Sequence, residues 1–128
     1  MDAADAARAW VDAWERAWPA GDASMLAGVY TPKTLFFSHP FRDVQAPHDY
    51  AAWAFRDQAS AECRFGEPVV EGDRAAVDWW AVIVDRDGGE ETVAGTSLLR
   101  FDETGRTVEQ RDVWASEPGR HDLPRWAR

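Results

Sequence analysis

Three glycine turns constrain this chain more than any other feature. Glu71-Gly72-Asp73, Asp87-Gly88-Gly89 and Glu103-Thr104-Gly105 separate four strand-prone runs from Cys63 onward. Short connections of this kind join antiparallel neighbours, so the second half reads as a series of hairpins. Pro68 in the first run marks an edge position or a bulge. The first half follows a helical period. Ala6, Trp10, Trp14 and Ala17 recur at three- and four-residue spacing within Ala3–Trp18, predicting an amphipathic helix with an aromatic face. Pro19 and Gly21 end it, and Asp22 is placed to cap a short second helix reaching Gly28. Thr34–Ser38 is a short β-prone run, and Pro40 and Pro47 bracket a loop. A third helix is expected over about Asp49–Ala59, with Tyr50, Trp53 and Ala54 on one stripe. Helices followed by an antiparallel meander make an α+β domain, with the helices on one face of a curved sheet.

Composition then removes whole classes of function. At 128 residues the chain fits one domain with a single core, assigned to residues 1–115, followed by an irregular tail over 116–128. A net charge of −9 with no run of Lys and Arg disfavours nucleic acid and anionic membranes as partners. The single cysteine, Cys63, excludes an internal disulfide and has no activating neighbour. The three scattered His residues do not have metal-ligand spacing. Met1-Asp2-Ala3-Ala4-Asp5 lacks the apolar run of a signal peptide, and no stretch reaches transmembrane length, so the cytoplasm is the expected compartment. Eight Trp supply rigid apolar area suited to a core or to an aromatic hollow.

Within the last strand-prone run, Thr107–Trp114, Asp112 carries the chemistry. Val108, Gln110, Asp112 and Trp114 share one face, and Thr107, Glu109, Arg111 and Val113 the other. An inward carboxylate must be paired, hydrogen-bonded or held neutral by a raised pKa. On the central run Ala76, Asp78 and Trp80 are the inward candidates, which makes Asp78 a possible second carboxylate.

Trp10, Trp14 and Trp18 followed by Pro19-Ala20-Gly21-Asp22, then Val29-Tyr30-Thr31-Pro32, resemble the opening of the nuclear-transport-factor-2-like superfamily. Phe101 to Arg106, with Arg111-Asp112-Val113-Trp114 after it, is similar to that superfamily's closing hairpin. The resemblance covers about residues 5–116 and lies nearest the SnoaL-like, polyketide-cyclase-like branch. It implies a cone in which the sheet wraps three N-terminal helices and leaves a pocket at the open end. It also implies a homodimer. Arg111-Asp112-Val113-Trp114 further resembles the last strand of limonene-epoxide hydrolases, which puts Asp112 on a catalytic carboxylate. Those enzymes carry an Arg and a second Asp two residues apart on a central strand. Here only Asp78 matches one of them, so epoxide hydrolysis is not expected.

Proton abstraction beside a carbonyl fits the remaining groups better. It needs one carboxylate base and a donor for the enolate, with no cofactor and no metal. Asp112 is the candidate base, and Asp78 and His39 are candidate partners. Tyr30, Ser38, Trp53, Trp80, Gln110 and Trp114 are candidates for holding a small hydrophobic molecule. Each also has a structural reading: Asp112 paired with an Arg, Asp78 bonded to a neighbouring strand, His39 in a turn, Trp53 in the core. Val77, Trp79, Ala81 and Ile83 make the opposite face of the central run apolar too. Such a strand is covered on both faces, by the helices inside and by the tail or a second subunit outside. Two classes of function stand at this point. One is a cofactor-independent isomerase, dehydratase or cyclase, which needs Asp112 to reach the hollow. The other is a non-catalytic binding protein for a lipophilic ligand or a partner chain, with no carboxylate facing the pocket.

Overall fold

An 18-residue helix and a six-stranded sheet account for most of the chain in the computed structural model, which describes residues 1–128. Helix α1 spans Ala3–Ala20 and a 3-10 helix spans Ala23–Val29. Strand β1 (Tyr30–Phe37), helix α2 (Pro47–Phe55) and strands β2 (Gln58–Phe65) and β3 (Val69–Glu71) follow. The long strands β4 (Arg74–Asp85), β5 (Glu90–Phe101) and β6 (Thr107–Pro118) complete the sheet. Its order is β1-β6-β5-β4-β2, with β3 beside β2 on the same edge of β4. Only β1 and β6 run parallel; every other pair is antiparallel.

Local chemistry explains the boundaries. Asp2 caps α1 by accepting the Asp5 N–H, and Gly21 closes it at φ 63°, where a side chain would be strained. Asp22 caps the 3-10 helix by accepting from Ser24 N–H and hydroxyl. Helix α2 starts two residues before the expected Asp49, because Pro47 fits the first helical turn, and it stops at Phe55 rather than Ala59. The run expected from Cys63 is two strands, interrupted at Gly66-Glu67-Pro68, where Pro68 cannot join the ladder. In the β5–β6 turn the Asp102 carboxylate accepts from Thr104 N–H, Thr104 hydroxyl and Arg106 N–H.

The core lies between α1 and the inner face of the sheet. Trp10, Trp14 and Ala17 of α1, Phe36 of β1, Val77 and Trp79 of β4, and Leu99 of β5 belong to one buried cluster. Direct cross-strand partners share a face, and Val77–Ser97–Asp112 form one such row across β4, β5 and β6. The inner face of β4 is therefore Val77, Trp79, Ala81 and Ile83. This reverses the sequence expectation, which put Ala76, Asp78 and Trp80 inside. Because β4 is apolar on both faces, alternation alone could not choose between them.

The tail covers part of the outer face. Strand β6 runs on to Pro118, so the irregular segment begins three residues later than expected, at Gly119. Thr92 donates its hydroxyl to the Gly119 carbonyl and accepts from the His121 N–H. Arg120 bonds to Glu62 and Glu90, and the Trp126 ring lies against Gly66. No helix is long and apolar enough to cross a membrane.

Candidate active site

The cone encloses a cavity of about 420 Å³ between α1, α2 and the inner faces of β4–β6. Trp10, Trp14 and Trp18 line one wall, Tyr50 and Trp53 another, and Trp79, Val93 and Trp114 the sheet side. Its size suits a small-molecule ligand. Trp10 and Trp14, expected on the aromatic face of α1, serve as both core and wall: they are buried and they line the hollow.

Asp112 stands in this wall at 8% exposure. Its Oδ1 accepts the Ser97 hydroxyl at 2.6 Å and the Gln110 Nε2 at 2.9 Å. Oδ2 has no protein partner, yet it is not sealed from the cavity. Burial raises the Asp112 pKa to about 6, with the Ser97 and Gln110 hydrogen bonds pulling the other way. No Arg or Lys pairs with it.

The donors are themselves held. Trp79 Nε1 donates to Ser97 Oγ at 3.0 Å, which commits the Ser97 proton to Asp112. Gln110 Oε1 accepts from the Tyr30 hydroxyl at 2.5 Å and from Trp10 Nε1 at 2.9 Å. With its oxygen so engaged, Gln110 can only turn its amide nitrogen toward Asp112. Trp14 Nε1 donates to Tyr30 OH at 2.9 Å. Burial raises the Tyr30 pKa far above the ordinary tyrosine value, so the phenol stays a neutral donor. Two relays, Trp14–Tyr30–Gln110 and Trp79–Ser97, thus converge on one carboxylate oxygen and leave the other facing the hollow. Gly95 makes the close approach possible. It lies opposite Trp114, and a Cβ there would come within 2.5 Å of Trp114 Cβ and collide with the Val113 carbonyl.

Of the residues singled out from sequence, Asp112, Gln110, Trp53 and Trp114 line the cavity together. The others do not. Asp78 is exposed on the outer face, where it accepts the Thr96 hydroxyl at 2.7 Å, so no second carboxylate stands beside Asp112 there. Trp80 is buried on the same outer face. His39 Nδ1 accepts the Phe41 N–H and its ring packs edge-on against Trp114 outside the cavity lining, which is the turn role. Tyr30 acts behind Gln110 and does not line the hollow. Ser38 braces the mouth loop by donating to Gln45 and accepting from Arg42, while its carbonyl takes the Trp114 indole N–H.

Sequence reasoning missed Ser97, Trp79 and Arg42, and left Tyr50 on the α2 stripe, where the structure puts it in the cavity lining. Ser97 stood in view as a small polar residue between Gly95 and Leu99 on an otherwise apolar alternation. Arg42 gave no such sign, being one charge in a loop. Cys63, half-buried, has its thiol pushed up to about 11 by burial first and then by Glu15, which keeps it unreactive. No three His, Cys, Asp or Glu side chains gather as for a metal ion.

The structure is a cone-shaped α+β scaffold whose aromatic hollow has one buried carboxylate in its wall, Asp112, with Asp57 and Glu91 exposed at its edge. The chain belongs to the SnoaL-like domain family, whose model matches residues 7–110. Among solved structures, an NTF2-like protein of unknown function from Exiguobacterium sp. aligns at TM-score 0.68 and 18% identity, over 82% of this chain and 97% of its own. SalBIII, an epoxide hydrolase/cyclase-like enzyme with a role in pyran ring formation in the polyether salinomycin, aligns at TM-score 0.74 and 15% identity, over 87% and 91%. An LEH-like epoxide hydrolase of M. tuberculosis aligns at TM-score 0.65 and 15% identity, over 87% and 83%. At these identities the likeness is one of fold. None of the curated protein sequences matches this chain.

Proposed function

We propose that this protein is a cofactor-independent proton-transfer enzyme acting on a small hydrophobic carbonyl compound, with Asp112 as its general base. The observation that carries the reading is the free Oδ2 of Asp112 in the aromatic cavity, with Oδ1 fixed by Ser97 and Gln110. A base of pKa about 6 is ionised at neutral pH and still basic enough to take a proton. In this mechanism Oδ2 removes a proton from the carbon beside the carbonyl, and the C–H electrons move into the enolate. Tyr50 lines the same cavity, and its pKa is raised by burial and by the Asp112 charge, against the effect of Arg42. Its neutral hydroxyl is the donor to the enolate oxygen. Return of the proton to another carbon isomerises the substrate. Passing the proton to a departing β-hydroxyl releases it as water and dehydrates the substrate, and attack of the enolate on a second carbonyl, whose new alkoxide takes the proton back from Asp112, cyclises it.

The non-catalytic alternative is favoured by the lining, 12 of whose 19 residues are hydrophobic. It gives no reason for the relays that hold a buried carboxylate against its own desolvation. SalBIII and the LEH-like hydrolase lend the general precedent of enzymes on this scaffold. The outer strand face also supports a homodimer in the same proposal. With the tail over part of it, Leu35 and Val113 remain 49% and 51% exposed.

The test is deuterium exchange at the α-carbon of 2-tetralone in D2O, followed by proton NMR. Wild-type protein is expected to accelerate exchange with a rate that rises through about pH 6. Asp112→Asn should lower it by about 10²–10⁴-fold, the usual worth of a positioned base. Equal exchange in both proteins rejects the reading.

A further inference from the structure

The mouth of the cavity carries a cation that neighbours Tyr50 but moves no proton in the proposed mechanism. Arg42 sits in the loop between β1 and α2 and lines the cavity. Its guanidinium lies 5.8 Å from the Trp53 ring centroid and 5.5 Å from that of Trp114. It therefore lies over both indole rings, and Ser38 Oγ accepts from Nη1 at 3.1 Å. Cation–π contacts of this kind anchor a guanidinium; Ser38 and the Tyr50 hydroxyl lie within reach of this one, and the planar fork suits a bidentate carboxylate. No carboxylate pairs with Arg42, although the chain has 23 acidic residues. Its neighbour Asp43 is engaged with the Val44 N–H. The other cation of the lining, Arg56, has Asp57 at 3.8 Å.

We propose that Arg42 receives the carboxylate of a flat, aromatic-bodied ligand whose body lies in the tryptophan-lined cavity. Charge is distributed along the rim in the way this needs. The acidic lining residue Glu91 stands four residues from Gly95, the partner of Trp114, which is roughly 13 Å along β5. The Arg42–Trp53–Trp114 corner thus carries the cation of the mouth that has no carboxylate partner, with Glu91 at the other end of β5 and Asp57 paired with Arg56. Trp114 and Asp112 are two residues apart on one face of β6, roughly 7 Å. A carboxylate held at Trp114 therefore places a carbon about one ring-length inward beside Asp112 Oδ2. The inference deepens the Asp112 reading by naming the substrate class, an aromatic or conjugated keto acid, and rests on that reading only for which carbon reacts.

The test compares naphthalene-2-carboxylate with naphthalene-2-carboxamide, titrated at pH 8 and followed through the indole N–H resonances of the eight Trp. In wild-type protein the carboxylate should bind at least about tenfold more tightly than the amide and shift the Trp53 and Trp114 signals. Arg42→Gln should erase that preference while leaving amide binding within about twofold. Arg42→Lys, which keeps the charge but not the fork, should retain part of it. Equal affinity for both probes in wild-type protein overturns the proposal, as does a preference that survives Arg42→Gln. So does a titration in which neither probe moves the Trp53 and Trp114 signals. Because the readout is binding, its failure leaves 2-tetralone exchange by Asp112 standing, and loss of that exchange leaves an Arg42-dependent preference standing.

Discussion

Ser97 and Asp112 face each other across the β5–β6 pair, and the serine hydroxyl reaches the carboxylate at 2.6 Å. With no cation in reach, this bond and the one from Gln110 are what keep an ionised Asp112 inside the protein. Hydrogen bonds hold the charge in place without neutralising it.

Asp112→Asn should therefore stabilise the protein at neutral and higher pH. Asparagine keeps an oxygen for Ser97 and Gln110 and removes the buried charge. The folded-state pKa is about 6, above the unfolded value of about 3.9, so the native state binds more protons between those values. Stability lost through Asp112 is absent below about pH 4, grows as the pH rises through the folded pKa, and is complete above it. The gap of about two pKa units corresponds to about 3 kcal/mol. Urea denaturation of both proteins from pH 3 to 8 should show the variant gaining by that order above pH 7 and nothing at pH 3. A loss of stability at pH 7 would identify Asp112 as scaffold.

Ser97→Ala removes one donor to Asp112 and strands the Trp79 indole N–H in the wall. A stability loss of about 1–3 kcal/mol is expected by chemical denaturation at pH 7. The Asp112 pKa should rise further in this variant, because a bond that favours the charged form has gone.

Gly95→Ala should destabilise the protein by about 1–3 kcal/mol, although alanine in place of a strand glycine ordinarily helps. The added methyl would collide with backbone of β6 rather than with a mobile side chain. Thermal denaturation decides it, and a raised midpoint would mean that β5 and β6 can separate at no cost.

The sequence expectations succeeded and failed for physical reasons that can be assigned to particular residues. Glycine turns and the Trp10/Trp14 spacing gave the order of helices and hairpins, because both signals are local. Alternation placed Gln110, Asp112 and Trp114 inward, because Glu109, Arg111 and Val113 made the opposite face of β6 more polar. The same method reversed β4. Val77 and Trp79 on one face and Trp80 and Val82 on the other are equally apolar, and only the register with Ser97 and Asp112 decides between them. Asp78 was misplaced for that reason. Arg42 could not be found at all, since its meaning arises from two tryptophans brought to it from α2 and β6.

A second copy on the outer face is testable through Val113, exposed on β6. Sedimentation of the wild-type protein should show a dimer, and Val113→Asp should shift it toward monomer. A wild-type monomer at high concentration would leave the tail as the outer face's cover.

The most direct measurement is the pKa of Asp112 itself, from a carbon-detected NMR titration of its side-chain carboxyl against Asp112→Asn. A midpoint near 6 is expected, well above the ordinary aspartate value. A midpoint at or below about 4 would mean that the Ser97 and Gln110 bonds outweigh burial. Asp112 would then be a structural anion, too weak a base for the proposed chemistry.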